Sequence, residues 1–160
     1  MSAVLENNLS VQQNLDRTCA VKTINMEIET ITKLRDSLDS TLTEALNIMQ
    51  NAKGRIIITG MGKSGHIGKK IAASLASTGT PSFFVHPAEA SHGDLGMITD
   101  NDVVIAISNS GESKELVDIL NYCKRFGIKL IAITKNPEST LGKVSDIVLK
   151  LPNNGEACPL

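Results

Sequence analysis

A chain of 160 residues with a formal charge of −1 has the size of one domain and nearly balanced charge. Because no long block of like charge occurs, and because three Phe, one Tyr and no Trp give no platform for stacking unpaired bases, the composition argues against nucleic-acid and anionic-membrane partners. No apolar run approaches the ~20 residues of a membrane span and no signal-peptide pattern opens the chain, so we expect a cytoplasmic protein.

The segment from about Val11 to Gln50 predicts amphipathic helix, since it lacks Gly and Pro and repeats apolar residues at three- and four-residue intervals. A break is expected near Asp36. The stripe contains Ile24, Ile28, Ile31, Leu34, Leu38, Leu42, Leu46 and Met49. It favours a core or subunit contact over a cofactor site. Residues 1–52 are therefore predicted to form an N-terminal helical segment that packs on the core, and self-association is expected.

Five short β-branched runs after Gly54 predict strands, and helix-forming segments separate them. The strands are residues 55–59, 82–85, 102–108, 129–134 and 146–151, and the helices are residues 66–77, 113–126 and a short stretch around Thr140. Alternating strands and helices predict an α/β fold of three layers, a doubly wound five-stranded parallel sheet with helices on both faces. Cys19, Cys123 and Cys158 lack metal-ligand spacing and predict reduced thiols, the first two packed in helices.

Ligands of such sheets bind beyond the carboxyl ends of the strands, so the loops that follow the first and third strands are the candidates. The first loop, GMGKSGH, has the G-x-G-x-x-G spacing of a dinucleotide turn, but no acidic residue ends the second strand to hold a ribose, and Glu89 comes several residues late. A nucleotide-triphosphate loop would need glycine at position 57, which is Ile57. We therefore expect neither NAD nor ATP.

Both loops instead have the residues of an anion site. Gly62, Lys63 and Ser64 combine backbone N–H groups at a helix start with a cation and a hydroxyl. The second loop, SNSGES, places Ser108, Asn109, Ser110, Gly111 and Ser113 at the start of another helix, where hydroxyls and amides can converge on one phosphate. The alternative is that Ser113 caps that helix and the other serines fill a turn.

These motifs resemble a known family. S-N-S-G-E-S after the third strand and G-x-G-x-S after the first are similar to the sugar isomerase (SIS) domain, a flavodoxin-like fold whose serines hold the phosphate of a phosphosugar. Residues 60–98, AISNSGES and GEACPL resemble arabinose-5-phosphate isomerases, and the resemblance covers residues 53–160. The first fifty residues match only as generic helix.

The resemblance implies interconversion of ribulose 5-phosphate and arabinose 5-phosphate through an enediol, which supplies Kdo for lipopolysaccharide or capsule and uses no cofactor or metal. It implies Lys63, Glu115 and Glu156 as catalytic residues, with Glu156 as the proton-transferring base. It also implies His92 as a substrate contact near a subunit interface, in a homodimer or homotetramer. His86, Glu89 and His92 match no metal-site spacing.

The sequence departs from the family's pattern after Leu160. The resemblance implies a further helix and a catalytic His-Pro-Gly segment, so residues 53–160 are interpreted as the first part of an isomerase domain. We expect this chain by itself to have little or no isomerase activity. Two alternatives are a phosphosugar-binding SIS domain without catalysis and a transcriptional regulator. The N-terminal helical region is short and poor in Lys and Arg for the DNA-binding domain of a regulator.

Overall fold

The structure is a computed structural model that describes the backbone of residues 2–153 and 155, and side chains from Val11 onward. A compact unit runs from Leu38 to Leu151 and contains the sheet; the long first helix belongs to a separate unit. None of the helices within residues 2–153 combines the length and apolar character that crossing a membrane requires.

Two helices come first, α1 (Ser2–Asp36) and α2 (Ser40–Gln50). The predicted break near Asp36 is confirmed. Asp39 caps the start of α2, where its side chain accepts a hydrogen bond from Thr41 N at 2.8 Å. Helix α1 begins nine residues before the predicted start, because residues 2–10 also lack Gly and Pro. Cys19 lies in α1 and is exposed, so the prediction that it packs was wrong.

Five parallel strands form one sheet, and all five lie where the sequence predicts them to within one residue at either end. They are β1 (Ile56–Gly60), β2 (Ser82–Val85), β3 (Val103–Ile107), β4 (Lys129–Thr134) and β5 (Ile147–Lys150), in the spatial order β2-β1-β3-β4-β5. The strand order reverses between β1 and β3, which is the doubly wound arrangement. The predicted fold class is confirmed.

The connecting helices differ from the sequence prediction at three places. Helix α3 (Gly62–Ser77) begins four residues earlier than predicted, with its first turn inside the glycine-rich segment. The short helix α4 (Pro87–Ala90) and the 3₁₀ turn Asp94–Met97 were not predicted. The helix predicted over residues 113–126 starts as a 3₁₀ turn, Lys114–Leu116, and continues as α5 (Val117–Phe126). Helix α6 (Thr140–Val144) lies where expected.

Apolar side chains on the two sheet faces form two buried layers. One face packs against α2 and α3, with Ala45 and Ala72 in the same layer as strand residues such as Ile58 and Ile105. The other packs against α4, α5 and α6 through residues that include Ala90, Ile119, Leu120, Cys123 and Leu141. Because both faces are covered, the strands are apolar throughout rather than alternating with polar residues.

An ion pair between a buried carboxylate and a partly exposed guanidinium lies at the edge of the sheet opposite the candidate loops. Asp102, which is 2% exposed, accepts hydrogen bonds from Arg55 N at 2.7 Å and Thr99 N at 2.8 Å, and Arg55 Nη2 lies 3.2 Å from its Oδ2. Burial by itself would raise the pKa of Asp102, but the guanidinium of Arg55 and the backbone donors together lower this pKa below its ordinary value. The pair thus stabilises the fold at neutral pH.

Candidate functional site

The candidate site lies at the carboxyl ends of β1 and β3. Gly60, the last residue of β1, pairs with Ile107, the last residue of β3. The chain leaves β1 toward β2 and leaves β3 toward β4, so the connections diverge on opposite sides of this point. In open α/β sheets, ligands bind in the crevice that this divergence creates. The two predicted anion loops therefore begin at paired residues of neighbouring strands.

The glycine turn, residues 60–64, brings the first turn of α3 close to the end of β3. A Cβ on Gly60 would lie 2.9 Å from the Ile107 carbonyl oxygen and 3.3 Å from Ser64 Cβ, so only glycine permits this approach. Gly65 N donates to Met61 O, which leaves the N–H groups of residues 62–64 without partners in the helix. Lys63 is exposed and Ser64 half-buried in this first turn.

In the serine loop, residues 108–113, the Ser108 side chain makes hydrogen bonds to two other residues of the loop. The Ser108 side chain is buried, its Oγ lies 2.9 Å from Ser113 Oγ, and it accepts a hydrogen bond from Gly111 N at 3.1 Å. These contacts show that the Ser108 hydroxyl helps to shape the loop, and its role as a substrate contact stays a prediction.

Ser110 and Ser113 are the more exposed serines of the loop, and the Ser113 hydroxyl also contacts Ser108. Ser110 is exposed and its Oγ accepts from Glu112 N at 3.2 Å, which leaves its hydroxyl proton available. Ser113 precedes the 3₁₀ turn, but its side chain makes no capping hydrogen bond. The alternative in which Ser113 serves as a helix cap thus lacks its defining contact.

Residues 134–141, the β4–α6 segment from the last residue of β4 into α6, hold the serine loop by hydrogen bonds. Asn109 O accepts from Thr134 Oγ1 at 3.2 Å and from Lys135 N at 3.1 Å, and Leu141 N donates to Gly111 O at 3.0 Å. Gly111 has φ +72°, in the left-handed region, and a Cβ there would lie 2.5 Å from Ser139 Cβ. The loop is therefore packed too closely against this segment for any side chain at residue 111.

Glu112 provides a side-chain link between the same two segments. Its Oε1 accepts from Thr140 N at 2.9 Å and its Oε2 from Thr140 Oγ1 at 2.7 Å. These two bonds, with the charge of Lys143, hold the pKa of Glu112 below its ordinary value. Sequence reasoning assigned no role to Glu112, because its partner is 28 residues away and no local pattern marks the pair.

The remaining predicted residues are less closely grouped. Glu115 is exposed on the 3₁₀ turn that follows the serine loop, and His92 is exposed just after α4. Helix α4 packs against that 3₁₀ turn and against α5, and Ser91 Oγ donates to Asp118 Oδ2 at 2.6 Å. The segment that carries His92 is thereby held beside the segment that carries Glu115. Glu156 lies outside the described residues.

Two buried polar atoms near the carboxyl edge have no hydrogen-bond partner among the described residues. They are Thr59 Oγ1, in the next-to-last residue of β1, and His86 Nδ1, directly after β2. The described residues contain no group of three or more His, Cys, Asp or Glu side chains arranged to hold a metal ion. Among them, the candidate site is built from hydroxyls, backbone amides and Lys63.

Comparison with known proteins identifies the family. The model of the SIS domain matches residues 48–158. Among curated relatives, the arabinose 5-phosphate isomerase KdsD of Francisella tularensis is 57% identical over 144 residues, and that of Pseudomonas aeruginosa is 52% identical over 153 residues. These alignments cover 88% and 95% of this chain, but the chain spans only 44% and 47% of those relatives.

A solved structure agrees with the sequence comparison. The protein c3406 of E. coli CFT073, in complex with arabinose 5-phosphate, is 39% identical with a TM-score of 0.86, and the match covers 92% of this chain and 78% of that one. A sugar-phosphate isomerase candidate from Listeria monocytogenes is 31% identical with a TM-score of 0.85, and the match covers 92% of this chain and 77% of that one. The chain belongs to the SIS domain family.

Proposed function

We propose that this chain binds phosphosugars between the glycine turn and the serine loop, as part of an isomerase that interconverts ribulose 5-phosphate and arabinose 5-phosphate. The observation that carries the proposal is the pairing of Gly60 with Ile107, which starts both loops side by side at the reversal of strand order. The resemblance of SNSGES to a phosphosugar loop adds the chemical class of the ligand.

The phosphate is assigned to the serine loop. Ser110 and Ser113 offer hydroxyl donors, and Asn109 has an exposed side chain while its carbonyl is fixed by Thr134 and Lys135. Gly111 lets the loop pack closely against Ser139, which fixes the positions of these donors. Hydrogen bonds from neutral donors to a charged phosphate are shorter and stronger than those to neutral acceptors. From the neighbouring turn, Gly62, Lys63 and Ser64 add further donors and a positive charge.

The isomerisation is assigned to Lys63, Glu115 and Glu156, with His92 as a substrate contact. A base removes the proton from C2 of the open-chain aldose, and the carbonyl oxygen on C1 takes up a proton to give an enediol. The enediol is then protonated on C1 while its C2 hydroxyl loses its proton, which gives the ketose. A cation near the oxygens stabilises the developing negative charge, which is the role proposed for Lys63. Glu156 is proposed as the base and Glu115 as the group that assists proton transfer to oxygen.

Support for this substrate comes from the relatives. Two relatives that are more than half identical to this chain are named arabinose 5-phosphate isomerase, and the similar solved structure is a complex with arabinose 5-phosphate. Because the chain spans less than half of those curated relatives, the activity of the whole protein is part of the proposal.

Binding is tested with the chain itself. Calorimetric titration with arabinose 5-phosphate should give saturable binding, and Ser113→Ala should weaken it by about 1 kcal/mol or more because a charge-assisted hydrogen bond is lost. Ser77→Ala, at the far end of α3, is the matched control and should bind as the unmodified chain does. Tight NAD binding without a response to arabinose 5-phosphate would overturn the proposal.

Turnover separates an isomerase from a binding module. In a chimera, this chain replaces the matching part of the Francisella relative, and arabinose 5-phosphate formed from ribulose 5-phosphate is measured. The isomerase proposal expects turnover that Lys63→Ala lowers by a factor of about 10² or more. A chimera that binds arabinose 5-phosphate at wild-type strength but does not turn it over would favour a phosphosugar-binding domain without catalysis.

Self-association is proposed through α1. Its apolar side chains remain exposed over several turns, for example Ile24 at 53%, Ile28 at 57% and Ile31 at 65%. A second copy is the simplest partner for such a stripe, since symmetric homo-oligomers are the commonest assemblies. Light scattering should show a dimer or tetramer, and a monomer at high concentration would contradict this. The division between residues 52 and 53 and the cytoplasmic location stay predictions.

A further inference from the structure

The serine loop is anchored at three residues, and Glu112 makes the last of these anchors. Asn109 and Gly111 are held through their carbonyl oxygens by donors of the β4–α6 segment. Glu112 is held through its carboxylate, by the backbone N–H and the hydroxyl of Thr140. Two hydrogen bonds from one residue to one carboxylate fix both the position and the orientation of that carboxylate.

We propose that Glu112 is a positioning residue for phosphosugar binding, which holds the serine loop in its binding conformation through Thr140 and does not touch the ligand. This inference rests on the proposed function. The same residue also orients a candidate ligand donor, because Glu112 N donates to Ser110 Oγ at 3.2 Å. Fixing the Glu112 side chain therefore fixes the amide that sets the direction of the Ser110 hydroxyl.

Glu112 carries a negative charge in a loop that is proposed to bind an anion. A free carboxylate beside an anion loop would repel a phosphate, since like charges a few ångströms apart are unfavourable. Here both carboxylate oxygens accept hydrogen bonds from Thr140, and Lys143 supplies an opposite charge nearby. The contacts hold the carboxylate against α6, while Ser110 is exposed and Ser113 half-exposed in the loop.

Three substitutions separate positioning from charge. Glu112→Ala removes both bonds to Thr140, whereas Glu112→Gln keeps an acceptor for the Thr140 N–H and a donor for its hydroxyl. Glu138→Ala removes the same charge from an exposed residue of the neighbouring segment, whose carboxylate makes no hydrogen bond or ion pair to the described residues. Affinity for arabinose 5-phosphate is measured by calorimetry at a temperature where urea titration shows each variant fully folded.

Positioning predicts a distinct order of affinities. Glu112→Ala should weaken binding about tenfold or more, Glu112→Gln by less than about threefold, and Glu138→Ala should leave it unchanged. An affinity for Glu112→Ala equal to that of the unmodified chain would overturn the inference. Equal changes in the Ala and Gln variants, in either direction, would assign the effect to charge and would also overturn it. If Glu112→Ala does not fold, Thr140→Val, which removes one of the two bonds, should weaken binding about threefold.

Hydrogen exchange distinguishes this inference from the proposed function. Without ligand, the backbone amides of residues 112 and 140 should exchange faster in Glu112→Ala than in Glu112→Gln or Glu138→Ala. Only Glu112→Ala removes the hydrogen bonds that join Thr140 to residue 112. If the unmodified chain binds no phosphosugar, the proposed function fails, and exchange alone decides whether Glu112 holds the loop. Equal exchange in all three variants would show that it does not.

Discussion

Replacing Gly111 with Ala should lower the free energy of unfolding by about 2–5 kcal/mol, for two separable reasons. The first is backbone strain, because Gly111 has φ +72°, and an L-residue in this left-handed region costs roughly 1–2 kcal/mol. The second is overpacking. The new methyl group would contact Ser139 Oγ, and it would lie 2.5 Å from Ser139 Cβ and 3.1 Å from Thr134 Oγ1.

Ser139 cannot move aside without loss. It is fully buried, its Oγ donates to Asn136 O at 2.6 Å, and the same oxygen accepts from Gly142 N at 3.1 Å as the cap of α6. Displacing it would break two hydrogen bonds or shift the serine loop, and forced overpacking in a dense region costs about 1–3 kcal/mol. The same shift should weaken arabinose 5-phosphate binding in proportion, because the loop is the proposed phosphate site.

Gly127→Ala is the matched control. Gly127 also has a positive φ, +66°, at the end of α5, but a Cβ there would meet nothing within 4 Å, so this variant reports strain alone. Unfolding in urea is followed by far-UV circular dichroism, since the chain has no Trp for fluorescence. Gly111→Ala should be less stable than Gly127→Ala by about 1–3 kcal/mol. Equal stability of the two variants would refute the close packing of the serine loop on Ser139.

Three further predictions follow from buried groups. Thr59→Val should leave the free energy of unfolding unchanged or raise it by up to about 1 kcal/mol, because the Thr59 hydroxyl is buried without a partner among the described residues. Thr134→Val should lower the free energy of unfolding by about 1–3 kcal/mol, because the Thr134 hydroxyl makes two hydrogen bonds. Equal urea midpoints for the two variants would contradict this. The Asp102 carboxylate stabilises the fold above its unfolded-state pKa and loses this effect as the pH falls through its lower folded-state pKa. Urea titrations at falling pH, below about 4, should therefore show a larger stability loss in the unmodified chain than in Asp102→Asn, and equal losses would refute the ion-pair account. Burial and the nearby charge of Asp146 raise the pKa of the Cys123 thiol to about 12. Iodoacetamide at a mildly alkaline pH should therefore modify the exposed Cys19 and spare Cys123, as read by peptide mass spectrometry. Labelling of both thiols at similar rates would contradict this.

The sheet could be predicted from sequence because its strands are short apolar runs bounded by turn residues. Residues 82–85 and 129–134 were placed without error, and the other three strands to within one residue at each end. Helix α4 was missed because four residues that begin with a proline carry no periodic signal. The start of α3 was misplaced because Gly62 and Gly65 indicate a turn, whereas here the glycines of this segment let the first helical turn pack against β1 and β3.

The loops of the candidate site could also be predicted, but their support could not. SNSGES is local in sequence and follows a strand, so its position at the carboxyl edge follows from the parallel topology. The contacts that shape it join Asn109 to Thr134 and Glu112 to Thr140, across 25 and 28 residues. Such pairs depend on how β3 and β4 align, and a single sequence does not contain that register. The Ser108 hydroxyl is instead enclosed by contacts within the loop, to Gly111 N and Ser113 Oγ.

The central claim is that a phosphosugar binds where the glycine turn meets the serine loop, and amide chemical shifts of a ¹⁵N-labelled chain test it directly. Titration with arabinose 5-phosphate should produce saturable shifts at residues 62–64 and 109–113. Unphosphorylated arabinose at the same concentrations should leave these amides unchanged, because it lacks the phosphate that is assigned to the serine loop. Shifts confined to other parts of the chain, or equal shifts with arabinose, would contradict the account.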